Sequence, residues 1–307
     1  MPTPQRSAAQ QLITARQHLA PLLARTADRF VPRVDELVQC IFRACAQSAD
    51  VALAMIQLDL DAPYTLRHPI NVAVVVNLAL LRLGQSDSER WHYVAAALTM
   101  NIGMFELQNQ LVEQSTPLTS EQKHQIQQHP ALGRDQLREL GVADAIWLDC
   151  VAQHHEAPDG SGYPLQLCGD AVLFGARLIG LADRYCALLS SRTYRSGLSA
   201  DIALQNSLDS AAGSLDQKLA QLFRATLGSY PPGAVVALAN EETGVVLRQG
   251  CAAPIVLALF NAQDQLHAQS PTRDTQHAQF RVVKVLDSRI VAGAMSLDLI
   301  WGKEAAY

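Results

Sequence analysis

Four histidines and one aspartate are the residues of this sequence best suited to chemistry. They are His68, His129, His154, His155 and Asp183. Imidazole nitrogen and carboxylate oxygen together suit first-row transition metals. His68 lies in a very apolar segment, where a buried imidazole is costly unless it has a partner. We therefore expect these residues to meet, either around a metal ion or as a buried hydrogen-bonded network without one.

The remaining histidines lie in polar or unremarkable contexts and are interpreted as surface residues. They are His18, His92, His124, His267 and His277.

Helices are predicted to carry the candidate ligands. Residues 64–84 are apolar on almost every face, which indicates a helix buried at the centre of a bundle. A second buried helix is predicted over 89–102, and Thr119 with Gln122 forms a capping box for a third that ends near residue 128. A fourth helix is predicted over 144–153, and its last turn delivers His154 and His155. Further helices are predicted over 170–190, 199–212 and 214–228.

The pattern changes to short β-branched or apolar runs beyond residue 228. Strands are predicted over 235–238, 244–247, 255–259 and 279–286, with a mobile polar loop over 267–277. The sequence thus predicts a mainly α protein with an N-terminal helical segment (1–60), a helical domain (61–228) and a small all-β C-terminal unit (229–307).

Composition excludes several classes of protein. With 307 residues, 49% hydrophobic and 17% charged, the chain can bury a sizeable core and is not disordered. A net charge of -5 and the lack of a Lys/Arg block argue against nucleic-acid binding. The 6 cysteines form no CxxC pair, which points to a reducing compartment. Residues 1–14 lack the apolar region of a secretory signal. The apolar segment 72–83 is too short to span a membrane. A cytoplasmic location is expected.

A family resemblance is carried by the turn after the fourth helix. His154-His155-Glu156, Asp159-Gly160 and Gly162-Tyr163-Pro164 resemble the HHE-x-x-DG-x-GYP signature of the HD-GYP domain, the cyclic di-GMP phosphodiesterase branch of the HD superfamily. Other segments resemble that family in the same order, from 60 to 226: YTLRH at 64–68, LT at 118–119, HP at 129–130 with Gly133, ARLI at 176–179, AD at 182–183 and SRTYR at 191–195. The resemblance implies an HD-type helical bundle.

The motif that names the family is broken in this chain. Where the family has HDIGK, the sequence reads Met100-Asn101-Ile102-Gly103-Met104, and Cys186 replaces a second acid of the family. The resemblance implies that the carboxylate bridging two metals is lost, together with a lysine able to pair with phosphate. The site expected to survive these substitutions holds one iron, manganese or zinc ion through His129, His154 and His155, with His68 and Asp183 nearby. The alternative is that these residues form a hydrogen-bonded network without a metal. Cys186 is either a substitute ligand or a buried small side chain.

The glycine-rich turn carries a second set of implied roles. Gly160 and Gly162 permit positive φ, and Pro164 fixes the exit of the turn. By resemblance, the loop formed by Asp159, Gly160, Gly162, Tyr163 and Pro164 flanks a substrate or docks diguanylate-cyclase-type proteins; a plain structural turn is the alternative.

Arg192 and Arg195 can meet phosphates, or pair with acids near a helix end, and Tyr194 or Tyr163 can stack on guanine.

The favoured interpretation is an HD-GYP-like signalling protein with impaired or absent phosphodiesterase activity. It would bind a cyclic dinucleotide or contact other proteins through the glycine-rich loop, and a homodimer is left open. One alternative is an active cyclic di-GMP phosphodiesterase with a single-metal site. The other is a scaffold of the HDOD type, a related helical fold without metal ligands.

Overall fold

A computed structural model describes residues 6–191, 197–209, 217–291 and 296–306. Helices dominate it, and a small sheet follows them near the C-terminus. The helices are α1 (Ala8–Leu23), α2 (Phe30–Gln47), α3 (Ala49–Leu58), α4 (Tyr64–Arg82), α5 (Asp87–Thr99), α6 (Phe105–Glu113), α7 (Ser120–Glu139), α8 (Ala145–Gln153), α9 (Phe174–Leu189), α10 (Ala200–Asp209), α11 (Gln217–Leu227) and α12 (Leu297–Trp301). The predicted fold class, a mainly α bundle with a C-terminal β unit, is confirmed.

The N-terminal helices begin at side-chain caps and join the main core. Ser7 and Gln10 form a reciprocal capping box before α1, and the Ser48 hydroxyl accepts the Val51 N–H at the start of α3. Helices α1, α2 and α3 all pack against α4, and their apolar faces belong to the same hydrophobic cluster as α5, α8 and α9. The predicted domain limits at 60 and 228 remain predictions.

Helix α4 lies at the centre of the bundle, as its all-round apolar sequence predicts. It ends at Arg82 with Leu83 as its C-cap, and Gly84 follows with a φ of +76°. By length and composition α4 alone, among the described helices, could cross a membrane, yet 78% of its most apolar window is buried inside the protein. A core helix of a folded bundle has this character.

Helix α7 continues well beyond its predicted end. The Thr119 capping box is present, but the helix passes through Pro130 to Glu139 instead of ending near residue 128. The prediction was wrong because His129, Gly133 and Leu137 form a buried face that packs against the core. The free energy gained by this packing outweighs the loss of the one hydrogen bond that the proline cannot donate. Helix α9 also begins later than predicted, at Phe174, after a 3-10 turn over Gly169–Ala171.

The C-terminal unit is an antiparallel five-stranded sheet. Its strands are β1 (Val235–Leu238), β2 (Thr243–Arg248), β3 (Ile255–Phe260), β4 (Thr272–Asp274) and β5 (Val282–Leu286), in the order β4-β3-β2-β1-β5. Strand β4 lies inside the segment predicted as a mobile loop, so that prediction was wrong. Arg273 of β4 donates to both oxygens of buried Glu242, at 2.7 Å each, and this ion pair holds the segment on the sheet.

Candidate metal centre and adjoining cavities

Three of the predicted ligands meet at one point between α7 and the end of α8. One ligand atom from each of His129, His154 and His155 lies within 4.8 Å of the others. Helix α7 supplies His129, which lies just beyond the end predicted for that helix. The adjacent pair follows directly after Gln153, the last residue of α8, close to its predicted place at the end of that helix. Gly103, just before α6, lets the neighbouring chain approach α7 closely, because a Cβ there would lie 2.3 Å from the His129 carbonyl oxygen.

The two buried histidines face each other through their Nε2 atoms at 3.1 Å. In each ring the Nδ1 atom lies against a backbone carbonyl oxygen, Ile126 at 2.6 Å for His129 and Val151 at 2.7 Å for His154. Because a carbonyl only accepts, each Nδ1 donates and each neutral ring keeps a lone pair on Nε2. The two Nε2 lone pairs therefore converge on the same point.

Burial keeps all three imidazoles neutral. It lowers the pKa of His129 to about 3, helped by neighbouring His154, and it lowers the pKa of His154 and, more strongly, that of His155. Neutral imidazoles with free lone pairs are the form that binds metal ions. The cluster therefore fits the single divalent metal that the resemblance implies, and the two Nδ1 hydrogen bonds fix its rings as outer-shell partners do in metal sites.

His68 and Asp183 form a separate pair beside the cluster. The His68 Nε2 lies 2.6 Å from Asp183 Oδ1, and the ring of Tyr64 stacks on His68 at a centroid distance of 4.9 Å. Burial raises the pKa of Asp183, but the His68 hydrogen bond and charge outweigh it and the pKa falls below its usual value. Asp183 is thus an ionised carboxylate, able to complete a coordination shell or to hold His68.

The positions at which the resemblance implies substitutions, Met100, Asn101, Met104 and Cys186, have different surroundings. Met100 is completely buried in the hydrophobic core. Asn101 and Met104 line a cavity, and the Asn101 Oδ1 is buried without a hydrogen-bond partner among the described residues. Cys186 is buried, and burial raises its pKa well above the usual value, which favours the interpretation as a small core side chain.

The glycine-rich loop is held tightly against the histidines. Asp159 Oδ1 accepts the backbone N–H and the hydroxyl of Ser161, at 2.9 and 2.6 Å. Gly160 uses its conformational freedom and has a φ of +79°. Gly162 does not have a positive φ; it is needed for close approach, since a Cβ there would lie 2.4 Å from the Ala157 nitrogen and 2.5 Å from the Glu156 Cα.

Glu156 is a structural residue of the loop that the sequence analysis did not assign. It is buried, and its carboxylate accepts the backbone N–H groups of Leu165 at 2.6 Å and Leu167 at 2.9 Å. Its place in the HHE string was the available signal, but the string does not say which groups the carboxylate meets. These bonds carry the chain around Pro164 and hold Tyr163, whose ring stacks on His155 at 4.7 Å.

Two cavities meet at this site and share the wall formed by His155, Tyr163, Asp183 and Ala187. The first, about 490 Å³, is lined mainly by apolar side chains of α6, of the segment before α7 and of α7, with Tyr64 and Met104. The second, about 380 Å³, lies between the glycine-rich loop and α9. Arg192, Tyr194 and Arg195 lie outside the described residues.

The helical bundle and its histidine cluster are those of an HD-type domain. The family model for the HD domain matches residues 17–219, and this chain belongs to that family. The resemblance to its HD-GYP branch is confirmed by the relatives.

Several relatives are named as cyclic dinucleotide phosphodiesterases. The chain is 26% identical over 234 residues to the cyclic di-GMP phosphodiesterase PA4108 of Pseudomonas aeruginosa, covering 75% of this chain and 56% of that protein. It is 30% identical to the 3'3'-cGAMP-specific phosphodiesterase 3 of Vibrio cholerae, over 58% of this chain and 36% of the relative. It is 33% identical to the cyclic di-GMP phosphodiesterase response regulator RpfG of Xanthomonas campestris, over 42% of this chain and 35% of that protein. The chain thus spans 35% to 56% of the length of these relatives.

A solved structure shares the fold. Bd1817, an HD-GYP-type protein from Bdellovibrio bacteriovorus, superposes with a TM-score of 0.59 at 15% identity, over 74% of each chain.

Proposed function

We propose that this chain binds a cyclic dinucleotide at the histidine cluster and that its phosphodiesterase activity is impaired or absent. The observation that carries the proposal is the pair of cavities that share His155, Tyr163 and Asp183 as a common wall. A ligand with two nucleotide halves can occupy both cavities while it crosses the histidine cluster. The names of the relatives, which include phosphodiesterases for cyclic di-GMP and for 3'3'-cGAMP, support this class of ligand.

The impairment follows from the chemistry of the substituted positions. A two-metal centre clamps the attacking and leaving oxygens with cations ~3.5–4 Å apart, and bridging negative charge keeps those cations together. Asn101 offers a neutral amide there, and Met100 is a core side chain rather than a ligand. Met104 brings no positive charge to the first cavity.

A single metal held by His129, His154 and His155 would supply Lewis-acid polarisation and a bound water of lowered pKa. The chain's own residues position the ligand: Tyr163 is the flat wall between the two cavities, and the ionised Asp183 can accept a proton at Oδ2. The intact cluster favours a second candidate, a single-metal phosphodiesterase, over an HDOD-like scaffold without metal.

The outer side of the same loop is the proposed contact for protein partners of diguanylate-cyclase type. Leu165 is 58% exposed at a position that Glu156 holds rigid, so a preformed apolar contact is available there.

Calorimetric titration with cyclic di-GMP, combined with a turnover assay in Mn²⁺ or Fe²⁺, tests the proposal. We expect binding that is weakened in Tyr163→Ala and kept in Tyr163→Phe, with little or no turnover. In the double variant Met100→His with Asn101→Asp, metal content should rise from about one to about two ions per chain and turnover should appear. Met100 is a core residue, so its replacement can disturb folding. Asn101→Asp alone is therefore measured as a companion variant.

Two results would contradict the proposal. Absence of both binding heat and thermal shift would show that cyclic di-GMP is not a ligand of this chain. Turnover comparable to an intact family enzyme and abolished in His154→Ala would establish the single-metal phosphodiesterase instead.

A further inference from the structure

Helix α9 passes very close to the end of α8 at Gly180. A Cβ atom on Gly180 would lie 2.3 Å from the carbonyl oxygen of His154. An ordinary contact between a carbon and a carbonyl oxygen is about 3.3 Å or longer, so only a hydrogen atom fits on that side of the Gly180 Cα. A side chain here would therefore force the two backbones apart by about 1 Å.

The backbone at this contact is the part of α8 that carries His154. His154 is the C-cap of α8, and its Nδ1 donates to the Val151 carbonyl oxygen in the preceding turn at 2.7 Å. This hydrogen bond fixes the imidazole ring to the backbone of the last turn. A displacement of that backbone therefore displaces Nε2, which faces His129 at 3.1 Å.

The same contact bears on Asp183. Gly180 and Asp183 are three residues apart on α9, so they are neighbours on one face of the helix, and both line the second cavity. Asp183 in turn holds His68 at 2.6 Å. If α9 moved away from α8, it would carry this pair away from the histidine cluster.

His129 has a matching contact on its own backbone. A Cβ at Gly103 would lie 2.3 Å from the His129 carbonyl oxygen and 2.6 Å from the Gly133 nitrogen. The two histidines that face each other through Nε2 therefore each have their carbonyl oxygen against a glycine of another element.

Gly175, also on α9, has contacts of a different kind. A Cβ there would lie 2.2 Å from the Tyr93 ring and 2.9 Å from the Cys150 sulfur, which are side-chain atoms. Tyr93 is half-buried, so its ring has room to turn aside, whereas a backbone carbonyl has none. Close packing of α9 is thus common to both glycines, but only Gly180 lies against the backbone of a candidate ligand.

We propose that Gly180 is a positioning residue of the histidine cluster. Its missing side chain sets where His154 Nε2 lies relative to His129, and where Asp183 lies relative to both. Groups of a functional site must be held within about 0.5 Å of their productive positions, which is less than the displacement that a methyl group would cause. The effect on metal affinity rests on the metal ion of the proposed function, whereas the placement of the rings does not.

The test compares Gly180→Ala with wild type, and Gly175→Ala is the matched control on the same helix. Zn²⁺ affinity is measured by competition with a chelator, and stability by urea unfolding without metal. We expect Gly180→Ala to weaken Zn²⁺ binding about tenfold or more. Gly175→Ala should lose stability as well, yet bind Zn²⁺ as tightly as wild type. If Gly180→Ala is too unstable in buffer, the titrations are repeated in sucrose, which favours the folded state.

A second measurement needs no metal. In protein labelled with ¹⁵N-histidine, the Nδ1–H signals of His129 and His154 report the hydrogen bonds to Ile126 and Val151. We expect the His154 signal to shift in Gly180→Ala and to stay in place in Gly175→Ala.

The outcomes separate this inference from the proposed function. If Gly180→Ala binds Zn²⁺ like wild type and its ring signals are unchanged, the inference is overturned and the metal site stands. If Gly175→Ala loses as much Zn²⁺ affinity as Gly180→Ala, the effect is general destabilisation and the inference is also overturned. If wild type binds no Zn²⁺, the proposed metal fails; a His154 signal shifted only in Gly180→Ala then supports the positioning role, and an unchanged signal overturns it.

Discussion

His129 and His154 come from different helices, 25 residues apart in sequence, and hold their Nε2 atoms 3.1 Å from each other. Both Nδ1 atoms donate to carbonyl oxygens, so two lone pairs converge in a buried space. Two lone pairs repel each other unless a cation or a proton lies between them. A divalent metal ion bound by these atoms and His155 would turn this repulsion into coordination.

Removal of one histidine should abolish stabilisation by metal. After chelation, Zn²⁺ or Mn²⁺ at about a hundred times its Kd should raise the free energy of unfolding of the wild-type protein by about 2.7 kcal/mol. In His154→Ala the increase should disappear, as measured by thermal or urea unfolding with and without the metal. His124→Ala is the control, because His124 is an exposed residue on α7. An equal gain in His154→Ala would mean that the metal binds elsewhere.

A methyl group at Gly162 should displace the glycine-rich loop. The added Cβ would lie 2.6 Å from the His155 carbonyl oxygen as well as against Ala157, and backbone atoms cannot move aside cheaply. We expect Gly162→Ala to lower the free energy of unfolding by about 2 kcal/mol and to weaken cyclic di-GMP binding. Gly169→Ala, in the 3-10 turn that follows the loop, is the control, since a Cβ there meets nothing within 4 Å and adds only the strain of its φ of +55°. Equal effects of the two changes in urea unfolding would contradict the close-approach argument.

Neutralising Glu156 should loosen the loop around Pro164. Glu156→Gln replaces a carboxylate that accepts two backbone N–H groups with an amide that has one accepting oxygen. The expected loss is about 2 kcal/mol in the free energy of unfolding, with faster proteolysis between residues 157 and 168. Glu106→Gln, at an exposed position of α6, should change neither quantity. A protease pattern identical to wild type in Glu156→Gln would show that the loop is held by other contacts.

The C-terminal sheet should lose stability in acid because of Glu242. Hydrogen bonds from Arg273 hold the pKa of this carboxyl at about 2, against an ordinary value of 4.5. Since the folded pKa is the lower one, the contribution to stability is complete above pH 4.5 and is lost as the pH falls from 4.5 towards 2. Urea unfolding across this range should show a shallower pH dependence in Glu242→Gln, whose stability at pH 7 is also lower by about 2 kcal/mol. Glu241→Gln is the control, because Glu241 is exposed. If the pH dependence of the free energy of unfolding were as steep in Glu242→Gln as in wild type, Glu242 would not be the cause of the acid sensitivity.

The sequence was informative where the signal is local. The capping box at Thr119 and the stop at Gly84 depend on neighbouring residues, and both are present. The end of α7 was missed because Pro130 acts locally while the packing that continues the helix is long-range. Strand β4 was missed for the same reason, since its polar sequence gains its place from the ion pair with Glu242.

The sequence by itself determined the candidate metal ligands and the capping residues at which helices such as α7 begin. By resemblance, it also carried the expectation that Met100 and Asn101 replace the His-Asp dyad of the family. Only the tertiary structure decided that His129, His154 and His155 form one cluster, with His68 paired to Asp183 beside it. It also decided that Met100 lies in the core while adjacent Asn101 lines a cavity. The physical reason is that helical periodicity defines the faces of a helix, whereas the partners of each face come from helices distant in the chain, whose approach depends on packing across the whole bundle.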